Sequence, residues 1–295
     1  MRAAASPSTS VLKWMLSSIR RATNDFLAFN IKLSASFSRA IGLTDLSTYS
    51  GASSSYYIDA VKRALLTMRN AKADGRPLLV LDVGCGKTSF ITDEMKRDGL
   101  CLLYGMDLSA EEMNQNDALD ERIVYDACNG SYERDLAPYA KTFDLIVSHT
   151  FLEHVNDPET THRLLAFLLK DTGMAIHLYP TLFDPFLTLN HVLPGWLTKP
   201  ALMILQPSRA QTGKFPSRYK YCRAYSPGLQ FKYKKLGFEV QDYRNFYGTD
   251  YLRRFFPLQA LLDIFYLLVL KSDFKLLSSR SCVKLLKDKR KDPVV

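Results

Sequence analysis

From Pro77 onward the chain alternates short apolar runs with longer amphipathic stretches, and this alternation constrains its fold more than any other feature. Leu78 to Val83, Cys101 to Met106, Arg122 to Tyr125, Phe143 to Ser148 and Met174 to Tyr179 read as strands. Between them, Ser89 to Arg97, Ala110 to Asn116 and Pro158 to Leu169 fit helices. Strands separated by helical crossovers pair in parallel, and the crossovers cover both faces of the sheet. The prediction is an α/β fold with a mostly parallel sheet and helices on both faces. In such a sheet ligands lie beyond the carboxyl ends of the strands, so the residues after each strand are the ones to test for function.

Composition narrows the setting. With 47% hydrophobic and 23% charged residues over 295 positions, the chain can bury a full core. Its five cysteines are odd in number and widely spaced, with no Cys-x-x-Cys pair. A disulfide framework and a zinc site are therefore not expected, and no metal is predicted. Charge is unevenly spread: through Ser208 there are 20 basic and 23 acidic residues, whereas Arg209 to Val295 holds 19 basic and 7 acidic. That excess points to an anionic partner, and its alternative is a well-solvated basic face.

After the first strand comes Asp82-Val83-Gly84-Cys85-Gly86-Lys87-Thr88-Ser89. Glycines one residue apart let the backbone turn sharply and approach a ligand. The ending Gly86-Lys87-Thr88 looks like a phosphate-binding loop, but that loop needs a glycine where this chain has Leu81. A dinucleotide fingerprint needs a third glycine where Ser89 stands.

The remaining reading carries further along the chain. The second strand ends in Gly105-Met106-Asp107, the third in Tyr125-Asp126-Ala127, and the fourth runs through Ser148 to Phe151-Leu152-Glu153-His154-Val155. Leu168-Leu169-Lys170-Asp171-Thr172-Gly173 then precedes the fifth strand. In this order and spacing, Leu78 to Tyr179 resembles a class I S-adenosylmethionine-dependent methyltransferase, similar to the type 11 small-molecule domain. The resemblance implies a Rossmann-like fold, S-adenosylmethionine as cofactor and methyl transfer as activity. One departure is Thr88, where many members carry another glycine.

The resemblance also implies roles. Asp82 would accept from the cofactor ammonium, Gly84 and Gly86 would admit its methionine portion, and Asp107 would hold the ribose hydroxyls. Asp126 would contact the adenine, and Ser148 is counted with the cofactor residues. Asp107 has an N-cap role as its alternative, and Asp126 a turn-forming one. A methyl on a sulfonium is already activated, so positioning supplies most of the acceleration, and a base is needed only where the acceptor must lose a proton. His149 is the first candidate base, with Glu153 and His154 behind it.

Acceptor choice falls to the flanks. Residues 1–70 read as an N-terminal helical extension, 71–248 as the methyltransferase domain with a lid-like insertion at 180–215, and 249–295 as an apolar, basic helical segment with a final strand. Met1 to Asn24 is basic, acid-free and rich in serine and alanine, which suits either an organelle transit peptide or a basic surface helix. Phe255 to Leu270 is too short and interrupted to span a bilayer, and fits equally a helix lying in its interface or one docked on the domain core. With the apolar insertion, these features favour a lipid, isoprenoid or glycolipid acceptor at an anionic membrane surface, for a cytoplasmic, peripheral protein. Two alternatives stand beside this. The basic and aromatic run Lys214 to Tyr225 could bind RNA as acceptor, and the missing glycine allows a non-catalytic, methyltransferase-like binding protein.

Overall fold

In the computed structural model, the described residues are 9–72, 74–185, 188, 192–194, 196, 217–272 and 274–288, with side chains described from residue 13. Helix α1 (Thr9–Ala40) precedes α2 (Ser53–Ala71). The alternating part then runs β1 (Leu78–Val83), α3 (Asp93–Gly99), β2 (Cys101–Asp107), α4 (Ala110–Met113), β3 (Glu121–Val124), α5 (Tyr132–Asp135), β4 (Phe143–His149), α6 (Pro158–Leu168) and β5 (Leu169–Pro180). After the insertion come α7 (Pro227–Lys235), β6 (Phe238–Phe246), α8 (Phe256–Lys271) and β7 (Arg280–Lys287).

The seven strands lie in the order β3-β2-β1-β4-β5-β7-β6. The pairs from β3 to β5 are parallel, and β7 runs antiparallel to both β5 and β6. Strand order therefore reverses between β1 and β4, which places a crevice at their carboxyl ends. Alternating side chains feed two cores. One face buries Leu81, Val83, Ile146 and Leu164. The other buries Val80, Leu145, Val147 and Ile176 beneath Val61 and Leu65 of α2. Helix α2 thus packs onto the sheet, and β7 completes it, so the sheet domain draws elements from both flanks.

Local chemistry sets the element ends. Helix α3 starts later than the periodicity suggests, because the Thr92 side chain caps it by accepting from Met95 N. Asp157 caps α6 at its N-terminus, with Pro158 in the first turn. Strand β5 starts earlier than expected: Leu169 already pairs with Phe143, and a register irregularity follows. Gly173 permits that irregularity, since a Cβ there would lie 2.8 Å from the Leu169 side chain and 3.0 Å from the Lys170 carbonyl.

Candidate active site

The loop after β1 needs its two glycines for different reasons. Both have left-handed φ, +70° at Gly84 and +49° at Gly86. A Cβ on Gly84 would fall 2.3 Å from the ring of Phe151, which crosses from the end of β4. A Cβ on Gly86 would meet only Glu112 Oε2, at 3.6 Å. Gly84 therefore serves packing inside the protein, and Gly86 presents bare backbone. Thr88 is exposed and is not among the positive-φ residues, so the side chain at this departure from the family pattern meets no backbone penalty.

Two acids flank this loop. Asp82 is buried on β1 and accepts from Ser89 Oγ at 2.6 Å. Burial raises its pKa to about 7; the Ser89 bond opposes that rise and the Asp107 charge adds to it. Asp107, half-exposed at the end of β2, accepts from Gly86 N at 3.0 Å through Oδ2 and from Ser109 N at 3.1 Å through Oδ1. Each oxygen keeps a further lone pair, so the carboxylate can orient the loop and still receive two hydroxyls. The cap of α4 is the Ser109 side chain, which accepts from Glu112 N. Asp126 is exposed and accepts from Cys128 N at 2.8 Å, closing a local turn.

His149 ends β4 in an aromatic corner. Its ring lies 3.9 Å from that of Phe90 and 5.6 Å from that of Tyr57, which comes from α2. Nδ1 lies 3.2 Å from Thr150 Oγ1, while Nε2 is buried with no hydrogen-bond partner among the described residues. Burial, then the Arg280 charge, lowers its pKa to about 4, so the imidazole is neutral at pH 7. Tyr57 is buried, and that burial, with the Asp82 charge adding to it, pushes its hydroxyl well above the usual tyrosine range.

The other candidates are turned to different tasks. Ser148 points to the opposite side of β4, where its hydroxyl lies 2.8 Å from His177 Nδ1 and is buried. Glu153 and His154 lie in a short 3-10 turn, not at the start of a helix. Their side chains approach each other at 3.7 Å, and the Glu153 carbonyl accepts from Arg218 N and Tyr219 N, which ties the turn to the chain after the insertion. Tyr179 is buried and bonded to Tyr243, away from solvent.

In the basic and aromatic run, Lys214, Phe215 and Pro216 lie outside the described residues, as does most of the 180–215 insertion. Tyr219 and Tyr221 are buried in the core, and Tyr221 donates to Glu159 Oε1 at 2.8 Å. Their rings therefore are not surface platforms for stacking bases. The sequence reading missed Tyr57, Phe90 and Phe151. Phe90, directly after the glycine loop, could have been suspected from position, but nothing in the local pattern marks Tyr57.

A family model described as "Methyltransferase domain" matches residues 53–231. The ubiquinone biosynthesis O-methyltransferase of Escherichia coli O127:H6 is 32% identical over 120 residues, 40% of this chain and 45% of that protein. The protein of that name from Citrobacter koseri matches to the same extent. The chain thus matches less than half the length of these curated relatives. Among solved structures, a SAM-dependent methyltransferase from Archaeoglobus fulgidus is similar, with 17% identity, a TM-score of 0.43, and coverage of 78% of this chain and 94% of that one.

Proposed function

Because this chain belongs to the methyltransferase-domain family, whose methyl donor is S-adenosylmethionine, we propose that it methylates a small, lipid-like acceptor at a membrane surface. The observation that carries the reading is the convergence of Asp82, bare Gly86 and half-exposed Asp107 around one loop after β1, beside the end of the neighbouring strand β4 that carries His149.

These residues fit the donor. Asp107 offers two oxygens already aligned by backbone amides, suited to paired hydroxyls. Buried Asp82, whose pKa is raised by burial, would be returned to its charged form by an adjacent cation such as an ammonium. The bound donor supplies an activated methyl on a sulfonium. The protein's own task is to align the acceptor, exclude water, and receive a proton where the acceptor carries one. His149 suits the last role because its buried Nε2 is neutral and can accept.

An oxygen acceptor is the first to test, since the Escherichia coli relative is an O-methyltransferase of ubiquinone biosynthesis by name. Apolar Leu182 packed at the end of β5 and exposed Val192 and Trp196 in the insertion support a greasy acceptor. The experiment is to incubate the protein with methyl-labelled donor and separate lipid, RNA and small-molecule fractions of a cell extract. Label in the lipid fraction supports the proposal. Label in RNA would replace the acceptor, and donor binding without label in any fraction would leave a binding protein.

A further inference from the structure

Helix α8 is amphipathic in the wrong direction for a water-facing helix. Gln259, Asp263 and Tyr266 point inward and are buried. Leu258, Leu261, Ile264 and Leu268 share the opposite side and are exposed, Leu261 to 66% and Leu268 to 61%. At 100° per residue these four fall within about 120° of arc, so they form one apolar stripe. A helix that hides its amide and carboxylate and shows its leucines is built for an apolar neighbour.

Helix α1 makes the same demand by other means. From Lys13 to Phe29 every residue is exposed except half-buried Ser18 and Leu27. Helices in proteins draw most of their stability from packing an apolar face, and this segment packs almost none of its own against the described residues. Yet this half carries exposed Trp14, Leu16, Ile19, Phe26 and Phe29. Lys13, Arg20 and Arg21 lie along its other side, and Asp25 is the single acid of the whole helix. The packed half is clipped to α8 by a polar seam: Ser38 Oγ donates to Asp263 Oδ2 at 2.5 Å, Asn30 Oδ1 accepts from Phe256 N at 3.1 Å, and Ser34 Oγ donates to the Arg253 carbonyl at 3.0 Å.

We propose that the free half of α1 and the outer stripe of α8 together form a docking surface for a bilayer with anionic headgroups, both helices lying in its interface. Charge complementarity selects this occupant: the apolar side chains enter the acyl boundary while Lys13, Arg20, Arg21, Lys32 and Lys271 meet headgroups. Two copies meeting through α1 would instead bring like charges together. No described helix is long and apolar enough to cross a membrane, which agrees with lying along one. Tyr266 of α8 bonds to Asp184, just beyond the end of β5, so the platform is attached at the carboxyl edge of the sheet, the edge that carries the site.

This deepens the membrane-surface part of the proposed function and does not depend on its chemistry. Loss of docking with methylation of a dispersed acceptor retained would strike only this inference; docking with no methylation of any fraction would strike only the enzymatic reading.

The chain holds two tryptophans, so Trp196→Phe leaves Trp14 as the one tryptophan, excited selectively over the tyrosines. The full-length protein carrying this substitution is mixed with vesicles of phosphatidylcholine alone or with phosphatidylglycerol added. The expected result is co-sedimentation with the anionic vesicles, a blue shift of Trp14 emission, and weakening by salt. Leu261→Ser with Leu268→Ser should reduce partitioning about tenfold or more at every salt concentration, because buried apolar area is lost. Both sites are exposed, and an unchanged melting temperature verifies the fold. Arg20→Gln with Arg21→Gln should reduce binding to anionic vesicles only. Indifference to both vesicles, or equal binding by the leucine variant, would overturn the proposal. So would a self-associated wild type that the leucine variant converts to monomer, which would make this face an interface between copies.

Discussion

Asp107 accepts the amide of Gly86 at 3.0 Å, so the acid at the tip of the second strand fixes the glycine loop that follows the first. The same carboxylate is the proposed anchor for the ribose. Asp107→Ala should therefore loosen the loop and remove the ligand contact together. Charge-assisted bonds of this kind contribute about 1.5 to 3 kcal/mol, so donor affinity should fall at least about tenfold. Calorimetric titration with S-adenosylmethionine reads this directly, and an unaltered affinity in a folded variant counts against the assignment.

Asp82 makes stability and binding depend on pH in opposite senses. Its folded pKa, about 7, lies above the ordinary value of 3.8, chiefly through burial. A group shifted upward contributes stability that is complete below about 3.8 and is lost as pH rises through about 7. Asp82→Asn cannot ionise, so the free variant should melt higher than wild type above pH 7. Binding of a cationic donor should release a proton from Asp82 near pH 6. Titration in buffers of different ionisation enthalpy should detect that proton in wild type and find none in the variant.

His149 moves the other way. Burial and the Arg280 charge take its pKa from 6.5 to about 4, so its contribution to stability is present above 6.5 and is lost as pH falls through about 4. As a base it should give a rate with no histidine inflection between about pH 6 and 8. His149→Ala should lower turnover by about 100-fold to 10,000-fold with donor affinity nearly unchanged. A loss of only a few-fold would assign the reaction to alignment of the acceptor alone.

Gly84 separates packing from backbone conformation. Gly84→Ala brings a Cβ against the Phe151 ring at a left-handed φ, and should lower the melting temperature. Adding Phe151→Ala removes the ring contacts at 2.3 and 2.7 Å but leaves the residue-151 Cβ at 2.8 Å and the strained φ, so the double variant should regain only part of the loss. Thermal melts of both variants test this, and a Gly84→Ala variant as stable as wild type would contradict the close approach.

The strands and glycine loop were legible because period and spacing are local properties of the chain. Leu78 to Val83 matches β1 residue for residue, and Asp107 lies at the end of β2 as its position suggested. What was hidden depended on contacts distant in sequence. Tyr57 reaches His149 only because α2 folds back over the far face of the sheet. Ser148 and His149 are neighbours in the chain, but the alternation of a strand sends one to His177 and the other to Phe90. The tyrosines after the insertion looked solvent-facing beside so many cations, yet Tyr219 and Tyr221 help fill the core while Lys232 sits 4.9 Å over the Tyr221 ring.

The placement of β7 between β5 and β6 carries a consequence for how the chain acquires its shape. During synthesis β6 emerges before β7, yet β7 is the one strand it pairs with among the described residues. Until that hairpin closes across the intervening α8, β6 has no sheet to join and β5 shows a bare hydrogen-bonding edge. Such an edge is a template for adventitious pairing, and closing it demands a contact distant along the chain, which is slow. The β1 to β5 half can therefore assemble first, with the late hairpin as its seal, and a nascent chain delayed at this step would be most exposed to aggregation through β5.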